Sequence, residues 1–266
     1  MASAPSEVSP PVDGSLRAAA VRVRKGIPRQ FGWSTAMLKV SDLSVSFGGV
    51  QAVRRVNFEV QAGSVMGLVG PNGAGKSTTI EAISGFVRAQ GSAKIDGIEL
   101  IGHRPSHATQ RGLVRTFQQA QLWGGLPVRL NISLGARISG KSPVVAEVLE
   151  RLGLTTQKEV YAADLPYGTR RLVEVARAIA CDPKVLLLDE PGAGLTEGER
   201  DLLVEVITAL KEQGKSILLV DHDMALIRAV SHEVTVMDAG SVIASGDPES
   251  VFSNPRVIET YLGPGE

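Results

Sequence analysis

The chain has 266 residues, enough for one large α/β domain or a core with a lobe attached. Lysine plus arginine equals aspartate plus glutamate at 28 each, so no global field favours nucleic acid or anionic lipid, and partners must be recognised locally. Cys181 is the single cysteine, which excludes an intrachain disulfide and a cysteine-based zinc site and fits a reducing compartment, and no stretch approaches the roughly 20 apolar residues that span a bilayer.

Residues 1–36 differ from the rest. Residues 3–11 are rich in Ser and Pro, and Arg17, Arg22, Arg24, Lys25 and Arg29 follow with no acid among them, the composition of a disordered extension. Arg22 and Arg24 interrupt the only apolar run there, which argues against a signal peptide and leaves an Arg-rich transit sequence as the alternative. Met37 stands directly before the first patterned strand and is a candidate start codon, with 37–266 as the folded domain.

Segments 38–47, 53–60 and 92–101 alternate like strands of a small antiparallel sheet, with turn signals at Gly48-Gly49, Ala62-Gly63 and Asp96-Gly97. Between the second and third, Val65-Met66-Gly67-Leu68-Val69 reads as a short buried strand. It runs into Gly70-Pro71-Asn72-Gly73-Ala74-Gly75-Lys76-Ser77-Thr78, which fills the pattern G-x-x-x-x-G-K-[ST]. A helix over 77–84 with Ile80 and Ile83 on one face completes the strand, loop and helix order of a phosphate cradle. The three glycines let backbone N–H groups turn inward around a polyphosphate, and the helix N-terminus adds partial positive charge. Lys76 would reach the β- and γ-phosphates, and Ser77 would offer its hydroxyl to Mg²⁺, a cation that takes hard oxygen ligands.

Residues 119–178 lean helical. Within them Leu165-Pro166-Tyr167-Gly168-Thr169 opens an amphipathic helix on which Leu172, Val175, Ala176 and Ile179 share a face, with Arg170, Arg171 and Arg177 largely on others. Apolar runs at 185–188, 217–220 and 233–237, with helices between them, imply a mainly parallel core sheet. The first of these ends in Asp189 and Glu190, at the sheet edge where ligands bind in open α/β folds. Asp189 would orient Mg²⁺ through water, and Glu190 would polarise the attacking water for in-line displacement of the γ-phosphate. Thr196 with Glu199 three places on forms a capping box before a helix whose buried face is Leu202, Leu203, Val206, Ile207 and Leu210. Near the end, Asn254 is a good N-cap and Pro255 suits a first helical turn, so a short closing helix packs on the core.

Standing just upstream of the acidic strand, residues 165–169 resemble the signature motif of ATP-binding-cassette ATPases, which usually reads Leu-Ser-Gly-Gly-Gln. Members serving branched-chain amino acid importers more often read Leu-Ala-Tyr-Gly-Gln, to which this segment is closer. The resemblance spans about residues 38–263 and includes Arg115-Thr116-Phe117-Gln118, Ala193-Gly194-Leu195, His222-Asp223-Met224 and the tail 254–263. It implies that Phe47 stacks on adenine, with a core aromatic on a strand as the alternative, and that Gln118 approaches Mg²⁺ in a hinge loop facing a transmembrane partner. Gln119 and Gln121 leave that glutamine ambiguous. His222 matches the switch histidine that contacts the γ-phosphate, and residues 192–196 match the loop that crosses to a second subunit. Leu165, Tyr167, Gly168 and Thr169 would meet the nucleotide held by that subunit. Leu122, Trp123, Leu126 and Leu130 fit a groove that receives a helix of a membrane subunit; the alternative is that Trp123 fills the lobe's own core.

Three departures mark this chain. Pro166 replaces the signature serine and supplies neither hydroxyl nor N–H, Thr169 replaces the usual glutamine, and Thr196 stands where aspartate is commonest. The expected whole is a P-loop α/β ATPase with a mainly parallel sheet, an antiparallel β-subdomain and a helical lobe over about 119–178. The resemblance implies ATP and Mg²⁺ as ligands, a second ATPase subunit (identical or paralogous), permease subunits, an external substrate-binding protein acting indirectly, and a place on the cytoplasmic face of the inner membrane. The motor of an exporter for lipid-linked glycans and a soluble ATPase acting on ribosomes or DNA are the rivals; neutral charge and the lack of a tandem cassette or a zinc-hook insertion disfavour the second.

Overall fold

A computed structural model describes residues 38–139 and 144–262, so the expectations for residues 1–36 lie outside the described residues. In chain order come β1 (Leu38–Phe47), β2 (Val50–Val60), β3 (Val65–Val69), α1 (Lys76–Ile83), β4 (Gln90–Ile95), β5 (Ile98–Glu99), α2 (Pro105–Gln110) and β6 (Leu113–Arg115). The helical lobe follows with α3 (Val128–Ser139), α4 (Val144–Arg151), a 3₁₀ turn at Ala162–Asp164 and α5 (Tyr167–Ala180). The remainder is β7 (Val185–Asp189), α6 (Glu197–Glu212), β8 (Ser216–Val220), α7 (Met224–Val230), β9 (Glu233–Asp238), β10 (Ser241–Gly246), α8 (Pro248–Phe252) and α9 (Pro255–Leu262).

Two sheets result, one of four antiparallel strands in the order β2-β1-β4-β5 and one of six in the order β10-β9-β3-β8-β7-β6. All neighbours in the second are parallel except β10 with β9. In β1 the buried residues run Leu38, Val40, then Leu43, Val45; the slip in alternation coincides with a register shift around Asp42, whose φ of 49° marks a bulge. Arg55 of β2, also at positive φ, pairs with Asp42 at 3.2 Å, so the two irregularities face each other and keep both apolar rows on one side.

The continuous apolar runs of the central strands reflect burial on both faces. Val185 and Leu187 of β7 pack with α1 and the antiparallel sheet, while Leu186 and Leu188 pack under the helices of the lobe and α6. The lobe is less helical than expected, since 119–127 and 152–166 are largely turns. Sequence reading missed α2, β6, α8 and β10: the first three are very short, and β10 lies at the sheet edge, half-exposed along most of its length, so neither periodicity nor hydrophobicity signals it. Thr196 caps α6 in the full capping box, and Asn254 takes the Arg256 N–H at the start of α9, both as expected.

Candidate active site

The loop between β3 and α1 is locked by its glycines. Gly70 and Gly75 adopt φ of 148° and 99°, and a Cβ on them would lie 2.1 Å from the Met237 carbonyl oxygen and 2.5 Å from that of Ala52. Only glycine fits where the loop is pressed against β9 and β2. Asn72, Gly73 and Ser77 are exposed, Pro71, Gly75 and Thr78 half-buried, Ala74 and Lys76 buried. Lys76 Nζ donates to the carbonyls of Gly70 at 2.6 Å and Pro71 at 2.9 Å, and burial pushes its ammonium down while Glu190 and Asp189 oppose that shift. α1 has no acid in its first turn, so its positive end is uncompensated. Tyr261 of α9 sets its phenol at the Gly70 N–H, and burial pushes that phenol up to about 12.

The carboxylates arrive from β7. Asp189 is its last residue, 2 % exposed, with its N–H donating to Thr116 Oγ1 at 3.0 Å and its Oδ2 3.3 Å from Arg115 Nη2. Burial pushes the Asp189 carboxyl up, against the Arg115 charge. Its Oδ1 is buried without a hydrogen-bond partner among the described residues, an orphan acceptor suited to a metal-bound water. Among the described residues no group of three or more His, Cys, Asp or Glu is placed to hold a metal ion. Glu190 steps off the strand at φ 50°, an uncommon left-handed backbone that its N–H anchors to the Val220 carbonyl at 2.7 Å. Gln118 Nε2 donates to Glu190 Oε2 at 3.3 Å, and His222 Nε2 lies 2.8 Å from Oε1. Of the glutamines in this segment, Gln118 reaches Glu190, whereas Gln121 lines a neighbouring cavity.

Sequence reading missed Asp221. It is buried, accepts the N–H of Gly192 and of Asp223 at 2.9 Å each, and so ties the 192–196 loop to the loop bearing His222. An acid directly after the apolar run of β8 was the available signal.

At the signature segment, Pro166 is the N-cap of α5 and makes no side-chain cap bond. Gly168 packs so closely that a Cβ would sit 2.6 Å from Glu199 Oε2 and 3.0 Å from the Gly194 carbonyl, and the half-exposed Tyr167 ring covers Gly194. Thr169 donates to Glu199 Oε1 at 3.2 Å, while Oε2 takes the Thr196 N–H at 3.0 Å. The two threonines that depart from the family pattern therefore meet on one carboxylate. Leu165 is buried beneath them, and Phe47, at the end of β1, is 50 % exposed rather than packed in the core.

Arg171, expected on a face of α5 other than that of Leu172, Val175, Ala176 and Ile179, is nonetheless 1 % exposed. Both sides of α5 are covered, by the lobe helices and by the chain around Gln118, so Arg171 donates to the Phe117 and Gln118 carbonyls and pairs with Glu174 at 3.2 Å. Glu174 in turn accepts the N–H of Phe117 at 3.1 Å and of Gln121 at 3.4 Å, and burial pushes its carboxyl up. An acid inside the apolar run Val173 to Ala176 was the overlooked sign.

Beside this lies a cavity of about 510 Å³ lined by Phe86, Arg115, Phe117, Trp123, Ile138 and Cys181, among others. Trp123 is 53 % exposed, not the core of the lobe, with Arg177 over its ring at 5.1 Å. Leu122 shares this cavity, but Leu126 and Leu130 line a second one of about 630 Å³, so the expected single apolar cluster divides between two surfaces.

A family model described as "ABC transporter" matches residues 53–193, and one described as "Branched-chain amino acid ATP-binding cassette transporter" matches residues 241–263. The high-affinity branched-chain amino acid transport ATP-binding protein BraF of Pseudomonas aeruginosa is 35% identical over 252 residues, 86% of this chain and 99% of that protein. LivG of Escherichia coli strain K12, whose name carries the same description, is also 35% identical over 252 residues, again 86% of this chain and 99% of the relative. Among solved structures, the ADP conformation of an ATP-binding cassette of an ABC transporter superposes with a TM-score of 0.78 at 30% identity, covering 87% of this chain and 100% of that one.

Proposed function

The chain belongs to the ABC transporter family of ATP-binding cassettes, and from that premise we propose that it is the ATP-hydrolysing subunit of a membrane importer for branched-chain or related amino acids. The observation that carries the catalytic part is the convergence of Gln118 and His222 on the two oxygens of Glu190, beside Asp189 and the Lys76 loop. The substrate class rests on the names of the relatives and on the matched tail.

The loop amides and the N-terminus of α1 hold the phosphates, and Lys76 exchanges its two carbonyl partners for phosphate oxygens. Ser77, Asp189 and Gln118 would hold Mg²⁺, which when bound neutralises charge on the phosphate oxygens. Glu190 takes the proton of the attacking water, with Gln118 and His222 setting its orientation. Phe47, half exposed at the rim, receives adenine on its ring.

Tyr167, Gly168 and Thr169 pack with Gly194 and Glu199 of the same chain, and we assign them, on the resemblance of the signature segment, to closing the site of a second ATPase subunit. Among the described residues no helix is long and apolar enough to cross a membrane; the transport names of the relatives support attachment through permease subunits, on the cytoplasmic face. The cavity walled by Phe86, Phe117 and Trp123 is the surface we assign to them. The test is purification from detergent-solubilised membranes followed by reconstitution of the recovered complex in vesicles. ATP-dependent accumulation of leucine, isoleucine or valine with an external binding protein is expected; recovery with ribosomes or DNA, or hydrolysis driving efflux only, overturns the reading.

A further inference from the structure

Arg115 occupies a position that the phosphate loop and Glu190 do not explain. Its side chain is 8% exposed at the end of β6, where strand pairing sets it opposite Leu187, two residues before Asp189. Nη2 meets Asp189 Oδ2 at 3.3 Å, and Nε donates to the Thr116 carbonyl at 3.3 Å. The guanidinium carbon lies 4.6 Å from the Phe117 ring centroid and 5.4 Å from that of Phe86, and these two rings meet edge to face at 5.7 Å. Thr116, the next residue, takes the Asp189 N–H. Neighbouring residues thus hold Asp189 at its backbone and at one carboxylate oxygen, leaving Oδ1 as the free acceptor.

We propose that Arg115 is the positioning residue for the metal-holding carboxylate: by claiming Oδ2 it presents Asp189 Oδ1 to the hydration shell of a divalent cation, and the Phe86–Phe117 pair holds it in that pose. An outer partner that fixes a ligand's orientation commonly controls metal affinity by about 10- to 100-fold. A planar guanidinium suits the role because it stacks on rings while bonding a carboxylate in its own plane. Phe86 and Phe117 also wall the 510 Å³ cavity, so a helix seated there presses on the same pair of rings.

The inference rests on the reading of Asp189 as a metal-holding carboxylate, and the experiment separates the two. Mn²⁺ is titrated into the full-length protein saturated with ADP, and free Mn²⁺ is followed by electron paramagnetic resonance. Arg115→Met should weaken Mn²⁺ binding about tenfold while leaving metal-free ADP affinity within about twofold, and Arg115→Lys should recover most of the loss. Phe86→Ala, at a half-exposed ring, serves as a second variant that keeps the core intact and should weaken Mn²⁺ binding by about threefold. Unchanged Mn²⁺ affinity in folded Arg115→Met and in Phe86→Ala overturns the role of Arg115 alone. If Asp189→Asn leaves the wild-type Mn²⁺ affinity intact, the reading of Asp189 fails first.

Discussion

His222 Nε2 stands 2.8 Å from Oε1 of Glu190, and the pair closes a loop in space between residues that leave two adjacent strands of the parallel sheet. With Gln118 on the other oxygen, the carboxylate has little freedom to rotate, and its backbone at φ 50° is held by the Val220 carbonyl. On the proposed reading of Glu190 as the base, such restraint would fix the direction in which its carboxylate meets an attacking water.

Glu190→Gln should therefore keep ATP binding and lower turnover by at least about 100-fold, trapping the closed dimer in size-exclusion chromatography with ATP. The proposed role of His222 in orienting the carboxylate predicts that His222→Ala lowers kcat by a similar factor with little change in KM; a large rise in KM would instead assign it to the γ-phosphate contact that the resemblance implies. Near-normal phosphate release by Glu190→Gln would remove Glu190 from the role of base.

The Arg171–Glu174 pair fastens the Gln118 segment to the helix that begins at the signature. Glu174→Ala leaves a buried guanidinium without its anion and should cost about 3–5 kcal/mol in urea unfolding. The double change Arg171→Met with Glu174→Leu should cost much less stability yet still reduce ATPase activity, because the carbonyls of Phe117 and Gln118 lose their donor. Full activity in a stable double variant would reduce the pair to packing.

Pro166 gives α5 neither a capping hydroxyl nor an N–H. We expect Pro166→Ser to raise ATPase activity of the assembled complex severalfold, by restoring a donor to the nucleotide of the opposite subunit. Unchanged or lower activity in a folded variant counts against a weakened signature surface.

Burial pushes the Cys181 thiol from 9.0 up to about 11, with Arg177 opposing. The folded state keeps this proton where the unfolded chain has lost it, so the group's contribution to stability is complete below pH 9.0 and disappears as pH rises to about 11. Across that window the melting temperature of the wild type should fall more steeply than that of Cys181→Ala. Alkylation by iodoacetamide, read by mass spectrometry, should be slow at pH 8 and speed up as the thiolate forms; fast labelling at pH 8 would contradict the burial.

What the sequence alone determined is local. The 70–78 loop is legible because its glycines, lysine and hydroxyls serve one short stretch of backbone, and the capping box of Thr196 and Glu199 because its two hydrogen bonds span three residues. Asp189 and Glu190 are legible because an apolar strand ending in acids announces its own edge. Tertiary structure alone decided which glutamine reaches Glu190, that Arg171 is buried, that Trp123 faces a cavity, and that Asp221 ties two loops. The Arg115–Asp189 pair shows why: its members are 74 residues apart, and only the parallel pairing of β6 with β7 sets them side by side. A charged residue's partner is chosen by the register of distant strands and by what covers each helix face, and neither is written within a turn or two of the residue itself.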